Sequence, residues 1–300
     1  MKIALNQSYS FCQKGLRGYQ EDSRWPDSDI PISTQRFFIV CDGVGGCEKG
    51  EIASQTVCGA MAKSMEQIDL AKNLSPKQFS MVLDSAYDAL DESMNDSNID
   101  MATTMTFLCF HSGGCTMAHI GDSRIYHYRK GEGIIYKTND HSLINDMVHE
   151  GKLSPEQATN HPKRNVITRY MSPVDDDEER WEATMVTTSD LVPGDIFVLC
   201  TDGVTQCVDD YSLMDILESK CSDKEKLNQI AAECFYSTDN NTCILVSINE
   251  VTGCTNETVK EASVNTQKLK HRVYETKEIE SSKPLRENGI MHYVKQLFNF

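Results

Sequence analysis

FFIVCDGVGGCEKGE, residues 37–51, runs from an unbroken apolar stretch into an acid and a string of glycines. Phe37–Cys41 is short, aromatic and β-branched, the pattern of a strand buried on both faces. Asp42 follows at once, and a carboxylate ending a core strand is costly unless something pairs with it. The design recurs far downstream in IFVLCTDGVT, where Ile196–Cys200 lead into Asp202 and Gly203. Two buried strands that each end in Asp-Gly point to two carboxylates aimed at one place. Gly43, lacking a side chain, also lets its own carbonyl approach an ion closely.

Three further acidic stretches share this placement at the edge between core strand and loop. GLRGYQEDS sets Arg17 four residues before the adjacent acids Glu21 and Asp22, HIGDSR puts Asp122 after a strand and a glycine, and TDNNT puts Asp239 just before Thr242–Ile248. Read singly, each is a turn or an exposed loop. Read jointly, Asp22, Asp42, Asp202 and Asp239 form a set whose convergence has an electrostatic consequence. Two carboxylates about 5 Å apart repel by roughly 3 kcal/mol at an effective dielectric of 20. Four together threaten a domain whose whole stability is on the order of 10 kcal/mol. Two divalent cations would neutralise them, and oxygen ligation without clustered His or Cys favours Mg²⁺ or Mn²⁺ over Zn²⁺. Such a metal pair generates hydroxide and stabilises phosphoryl oxygens.

The remaining sequence bounds this reading. Three hundred residues suffice for one large domain. A formal charge of −16 argues against nucleic acid and against an anionic membrane surface, both of which attract clustered Lys and Arg. The 12 cysteines form no CxxC pair, and Cys41, Cys109, Cys200 and Cys243 lie inside apolar runs as small core hydrophobes. With no secretory signal and no membrane span, a reduced, cytoplasmic monomer is expected.

Strands are expected at Thr103–Phe110 and Thr116–Ile120, joined by a glycine-rich hairpin, and at Ser123–Tyr128 and Thr242–Ile248. Helical periodicity marks Glu51–Met65, Phe79–Met94, Ser212–Ser219 and Lys224–Phe235. Strand pairs separated by helix pairs predict antiparallel sheets covered by helices. Ser142–Met171 reads as two short helices broken at Gly151, with a capped start at Ser154. DDDEER, residues 175–180, is a solvated acidic loop. The catalytic region is expected to end near residue 250, followed by a polar linker at 251–288 and a short helix candidate at 289–300.

In chain order, RGYQEDS, FFIVCDGVGGCEKGEIAS, ATTM, AHIGDSRIYHYRKGE, TNDHSLINDMVHEGKLS, LVPGDIFVLCTDGV and TDNNTCILV resemble the metal-dependent protein serine/threonine phosphatases of type 2C, the PPM family, in its bacterial branch. The resemblance covers about residues 1–249. It implies an α+β fold, a central β-sandwich of two antiparallel sheets flanked by helical layers, with a binuclear Mn²⁺ or Mg²⁺ centre at one end. It implies that Asp42 bridges the metals, Gly43 gives a carbonyl to one, and Asp202 and Asp239 complete the other. Glu21 and Asp22 then act through bound waters, Arg17 grips phosphate, and residues 143–171 form a flap beside the site. The implied reaction is direct attack of a metal-bridging hydroxide on phosphoserine or phosphothreonine in proteins, opposing a Ser/Thr kinase.

Two departures from the family pattern stand out. A third metal would use Asp122, Asp202 and an acid four residues after Asp202, but Gln206 occupies that last position, so any third site is weaker unless Asp209 or Asp210 compensates. Asp122 is alternatively a structural hydrogen-bonder. Val44 stands where eukaryotic relatives carry a histidine general acid, leaving a metal-bound water or another side chain, with His141 and His161 nearest in sequence. The rival readings are a degenerate phosphoprotein-binding module and a phosphatase of small phosphate esters.

Overall fold

The computed structural model describes residues 1–27, 35–44, 47, 49–94, 101–159, 161–174 and 180–253. The expected linker beyond Gly253, the helix candidate at 289–300 and residues 175–179 of the acidic loop lie outside them.

The chain opens with β1 (Lys2–Leu5), β2 (Tyr9–Gln13) and β3 (Asp22–Trp25), then the apolar β4 (Phe37–Asp42). Helices α1 (Gly50–Met65) and α2 (Pro76–Ser93) follow. Next come β5 (Met105–His111), β6 (Gly114–Ile120), β7 (Arg124–Arg129) and β8 (Gly133–Lys137). The short helices α3 (Leu143–His149) and α4 (Pro155–Thr159) precede β9 (Thr184–Thr188) and β10 (Ile196–Cys200). Helices α5 (Asp202–Thr205), α6 (Asp210–Glu218) and α7 (Asp223–Glu233) lead to the long β11 (Asn241–Thr252). β11 thus runs two residues past the expected boundary at 250.

Two sheets result. One has the order β3-β4-β5-β6-β9; the second has the order β1-β11-β10-β7-β8, with β2 pairing the other half of β11's edge. Every pairing is antiparallel. Alternation along β4 explains why its run is apolar throughout. Phe37, Ile39 and Cys41 pack on α1 and α2 with Val57, Met61, Phe79 and Leu90. Phe38 and Val40 face the other way, against Phe197, Leu199, Ile244 and Val246 of the second sheet. A third cluster seats Val198, Cys200, Cys243 and Leu245 under α6 and α7 through Leu213, Leu217, Leu227 and Ile230. The molecule is therefore helix, sheet, sheet, helix, the sandwich expected from sequence. Both faces of the central strands are dry, and each buried Phe, Val or Leu side chain contributes about 1.5–3 kcal/mol. The cysteines within these strands, Cys41, Cys109, Cys200 and Cys243, are buried thiols.

Local signals set the helix starts. Ser75 and Gln78 form a reciprocal capping box at α2, with Pro76 at the first turn. Ser154 and Gln157 repeat the same exchange at α4, at 2.9 and 3.3 Å. No helix among the described residues is long and apolar enough to cross a membrane.

Candidate active site

The parity that buries β4 also aims its last residue. Phe38 and Val40 face the second sheet, so Asp42, two residues on, faces the same side at the end of the sandwich. Asp22, the first residue of β3, is its direct cross-strand partner, which puts both carboxyls on one face. The backbone of Asp42 is held from β5's side. Thr104 donates its N–H to the Asp42 carbonyl at 2.8 Å, the Thr103 hydroxyl donates to the same oxygen at 2.9 Å, and the Asp42 N–H donates to Thr104 Oγ1 at 3.1 Å. Thr104 Oγ1 in turn meets Ser123 Oγ at 2.7 Å. ATTM, residues 102–105, is thus a cradle for Asp42, a role that its residue types alone did not reveal.

The second sheet brings its acids to the same end. Thr201, between β10 and α5, donates its hydroxyl to Asp22 Oδ2 at 3.0 Å and accepts the Thr242 N–H at 3.0 Å, tying the two sheets together. Asp202 opens α5, and Gln206 Nε2 donates to its Oδ2 at 2.8 Å. Both Asp-Gly glycines are required by close backbone approach. A Cβ on Gly203 would lie 2.0 Å from the Asn240 carbonyl oxygen, and one on Gly43 would lie 2.5 Å from the Gly50 carbonyl group and 2.7 Å from that of Glu21.

Arg17 and Asp239, 222 residues apart in sequence, form an ion pair at 2.9 Å. The partner of Arg17 is Asp239 rather than Glu21, four residues on in the chain. Asn240 organises this corner. Its amide donates to the Lys14 and Tyr19 carbonyls at 2.9 Å each and accepts the Glu21 N–H at 2.8 Å. It is buried, so one side chain fixes both ends of the Arg17 loop to the start of β11. The Glu21 carbonyl accepts the Gly43 N–H at 3.0 Å and the Ser54 hydroxyl from α1 at 2.5 Å. Asn240 and Ser54 were missed because a buried hydrogen-bonding amide or hydroxyl has no period or spacing to announce it.

The electrostatics of the cluster are one-sided. Burial drives the Asp42 carboxyl well above the carboxylate range, and Asp22, Asp202, Asp122 and Asp239 push it further. Burial raises Asp22 to about 7 although the Thr201 hydroxyl donates to it. Asp122 is raised well above its ordinary value by burial and then by Asp202 and Asp140. Asp202 is raised by burial and by Asp239, and Glu21 by burial against the opposing pull of Arg17. The neighbouring cations are committed elsewhere. Arg124 makes two 2.7 Å bonds to Asp140, and Lys137 pairs with Asp210 at 2.6 Å. These acids are short of positive charge.

Hard divalent cations fit that deficit. The donors are all oxygen, and Asp22 Oδ1 is buried without a hydrogen bond at normal distance and angle. Among the described residues no three His, Cys, Asp or Glu side chains already stand at ligating distances from one point. Mutually repelling carboxylates close up only around the charge that joins them.

Other expectations resolve differently. Asp209 caps α6 through the Ser212 N–H at 2.8 Å, and Asp210 accepts from Lys137 and from the Tyr126 hydroxyl at 3.1 Å. Neither acid is spare to replace the one lost at Gln206. His141 is buried, stacked on His119 at 4.4 Å, with Nδ1 accepting the Gly121 N–H and Nε2 bonded to Thr184 Oγ1. Burial and His119 lower its pKa to about 3, so it is a neutral packing residue near neutral pH rather than a proton donor. His161 accepts the Lys163 N–H within its own turn. The segment 143–171 is pinned at both ends, by Leu143 N–H to the Val166 carbonyl and by paired backbone bonds between Met171 and Thr103.

The protein phosphatase 2C family profile matches residues 31–242. The serine/threonine protein phosphatase PstP of Mycobacterium tuberculosis is 31% identical over 192 residues, covering 64% of this chain and 36% of PstP. The chain thus spans about a third of the length of that relative. Protein phosphatase PhpP of Streptococcus pneumoniae is 31% identical over 219 residues, covering 71% of this chain and 86% of PhpP. The crystal structure of M. tuberculosis PstP superimposes with a TM-score of 0.71 at 26% identity, covering 83% of this chain and all of that one. The PstP catalytic domain in complex with two manganese ions gives 0.65 at 25% identity over the same share of both chains.

Proposed function

The chain belongs to the protein phosphatase 2C family, and from that premise we propose that it is a metal-dependent protein serine/threonine phosphatase. It acts in the cytoplasm, as a monomer, on proteins phosphorylated by a Ser/Thr kinase. The observation that carries this reading is the convergence at one end of the sandwich of buried Asp22 with the half-buried Asp42, Asp122 and Asp202, whose pKa values rise together beside the Arg17–Asp239 pair.

Asp42, Asp202 and Asp239, with the Gly43 carbonyl, would hold two divalent cations, Mn²⁺ or Mg²⁺, and Glu21 and Asp22 would assist from beside them. When bound, the cations supply a nucleophile from water at neutral pH and stabilise charge on the phosphoryl oxygens. The rest falls to the chain. Arg17 offers a planar fork to two phosphoryl oxygens, which a lysine would not match. Asn240 keeps that fork in place by holding both ends of its loop. Thr103 and Thr104 fix the Asp42 backbone so that its carboxyl is presented without searching rotamers of the main chain. Gln206 stabilises ionised Asp202 by hydrogen bonding. It brings no charge of its own, so a third cation at Asp122 and Asp202 binds more weakly than the first two. Residues 143–171 act as a flap hinged at Met171.

The presence of Asp42, Asp202 and Asp239 together supports turnover over a degenerate binding module. Phosphate release from a phosphothreonine peptide with Mn²⁺, with and without chelator, tests the proposal. Release that chelator abolishes and Mn²⁺ restores is expected; release indifferent to chelator would refute it, as would none at any metal concentration. Faster turnover of ATP than of the peptide would move the substrate class to small phosphate esters.

A further inference from the structure

An apolar pocket borders the Arg17 corner and has no part in the chemistry above. Its volume is about 340 Å³, and it is lined by Gln13, Lys14, Gly15, Leu16, Phe235 and Tyr236. Leu16 is 67% exposed, Phe235 61% and Tyr236 77%, and Tyr19 beyond Arg17 is 81% exposed. Large apolar side chains left this open, side by side, mark a surface that meets a partner. The other exposed large hydrophobics, Met81, Trp181, Val192 and Tyr211, belong to separate elements.

Both walls of the pocket run into the site. Leu16 precedes Arg17 directly, and its N–H donates to the Ser237 carbonyl at 2.9 Å, joining one wall to the other. Gly15, at φ +59°, lies so close to Asp239 that a Cβ would sit 2.3 Å from the Asp239 carbonyl oxygen. Tyr236 is three residues from Asp239, at most about 10 Å of extended chain. Phe235 and Tyr236 are braced edge to face, ring centroids 4.9 Å apart at 89°, so the aromatic wall is already shaped.

Resting on the phosphatase reading, we infer that this pocket is the specificity surface for the substrate polypeptide: it takes a large apolar or aromatic side chain within about three residues of the phosphorylated Ser or Thr. The continuity of the pocket with Arg17 selects this occupant. A peptide whose phosphate is on Arg17 has Leu16 directly beside it and the Phe235–Tyr236 wall across the pocket within reach of its neighbouring residues. A free phosphate ester has no chain to lay there.

The test uses the full chain with Mn²⁺ and a set of phosphothreonine peptides of Ala, Ser and Gly, with one Phe moved through the three positions on each side. p-Nitrophenyl phosphate is the chainless reference, and binding of fluorescent peptides is followed separately by anisotropy. Phe at one or two positions should raise peptide kcat/KM about tenfold, the equivalent of one partly buried ring. F235A/Y236A should remove that advantage, in binding as in kcat/KM, while the ratio of Phe-free peptide to reference turnover stays put. Both side chains are largely exposed, so the variant should fold. Absence of any Phe preference, or a preference that survives the double substitution, overturns the inference. So does self-association in sedimentation that F235A/Y236A abolishes, which would assign the patch to a second copy. A wild-type chain that hydrolyses none of the substrates refutes the phosphatase reading instead, and the anisotropy preference still decides the pocket.

Discussion

The two Asp-Gly strand ends look alike in sequence and are held in different ways. Asp42 is fixed by tertiary contacts: the bonds to its backbone from Thr103 and Thr104 come from the segment leading into the neighbouring strand β5. Asp202 is fixed by its own helix, its carbonyl accepting the Gln206 N–H at 2.9 Å and the Thr205 hydroxyl at 3.1 Å. The carboxyls differ as well. Asp202 has an amide donor in Gln206, whereas the strongest influences on Asp42 after burial are four other acids. Position is supplied to Asp42 by the fold and to Asp202 by local chain. Ionisation is therefore resisted more strongly at Asp42 than at Asp202.

Asp42→Asn should break the comparison most sharply. Phosphate release should fall by at least about 10³-fold, the scale of losing a preorganised charge-stabilising group. The metal-free protein should at the same time melt several degrees higher, because about 1 kcal/mol is worth roughly 2–4 °C at this size. Asp202→Asn should raise that melting temperature less. A calorimetric scan in chelator separates the two, and equal shifts would contradict the asymmetry.

The glycines come next. Gly203→Ala and Gly43→Ala should each destabilise by about 2–3 kcal/mol, the range of overpacking against an unyielding neighbour. Gly203→Ala should be the worse, its Cβ falling at 2.0 Å rather than 2.5 Å from backbone. Denaturant midpoints would order them. Asn240→Ala, which strands two carbonyls and one N–H, should cost about 1–3 kcal/mol and raise KM for phosphoester through a loosened Arg17.

Metal response should depend on pH. Asp22 has its pKa raised from 3.8 to about 7. The folded state then holds a proton that the unfolded chain releases, so this contribution is full below 3.8 and is lost as pH rises through 7. His141, lowered from 6.5 to about 3, acts oppositely: its contribution is full above 6.5 and is lost as pH falls towards 3. Only the first is tied to the acid cluster. Saturating Mn²⁺ should therefore stabilise the protein more at pH 7.5 than at pH 5, as read from urea midpoints with and without metal. The smallest effect belongs to Gln206→Ala, about 1 kcal/mol for one hydrogen bond to a carboxylate, visible as weaker Mn²⁺ binding in titration calorimetry.

Much of this frame was legible because it is periodic. β4 and β10 announce themselves through unbroken apolar runs, α1 and α2 through helical stripes, and α4 through its Ser-Pro-x-Gln start; the same start at Ser75 of α2, ahead of the expected Phe79, went unread. β1, β2, β3, β8 and β9 went unread, being short and only partly buried, with one polar or exposed face. The acids were legible through their place at strand ends. What holds them was not: the hydroxyls of Thr103, Thr104 and Thr201 and the amide of Asn240 matter through contacts between residues far apart in sequence. The packing of His141 was hidden for the same reason, since its burial against His119 and Thr184 is a property of the folded sheet ends.

β11 is the last strand among the described residues, yet it lies inside its sheet, between β10 and the N-terminal pair β1 and β2. β2 has no edge to join until Asn241–Leu245 has been made, and β1 none until Ile248–Thr252 follows. Closure over such a separation is slow compared with local helix formation. A nascent chain halted before this strand can form its helices and local hairpins but leaves β1 and β2 with no partner in their sheet.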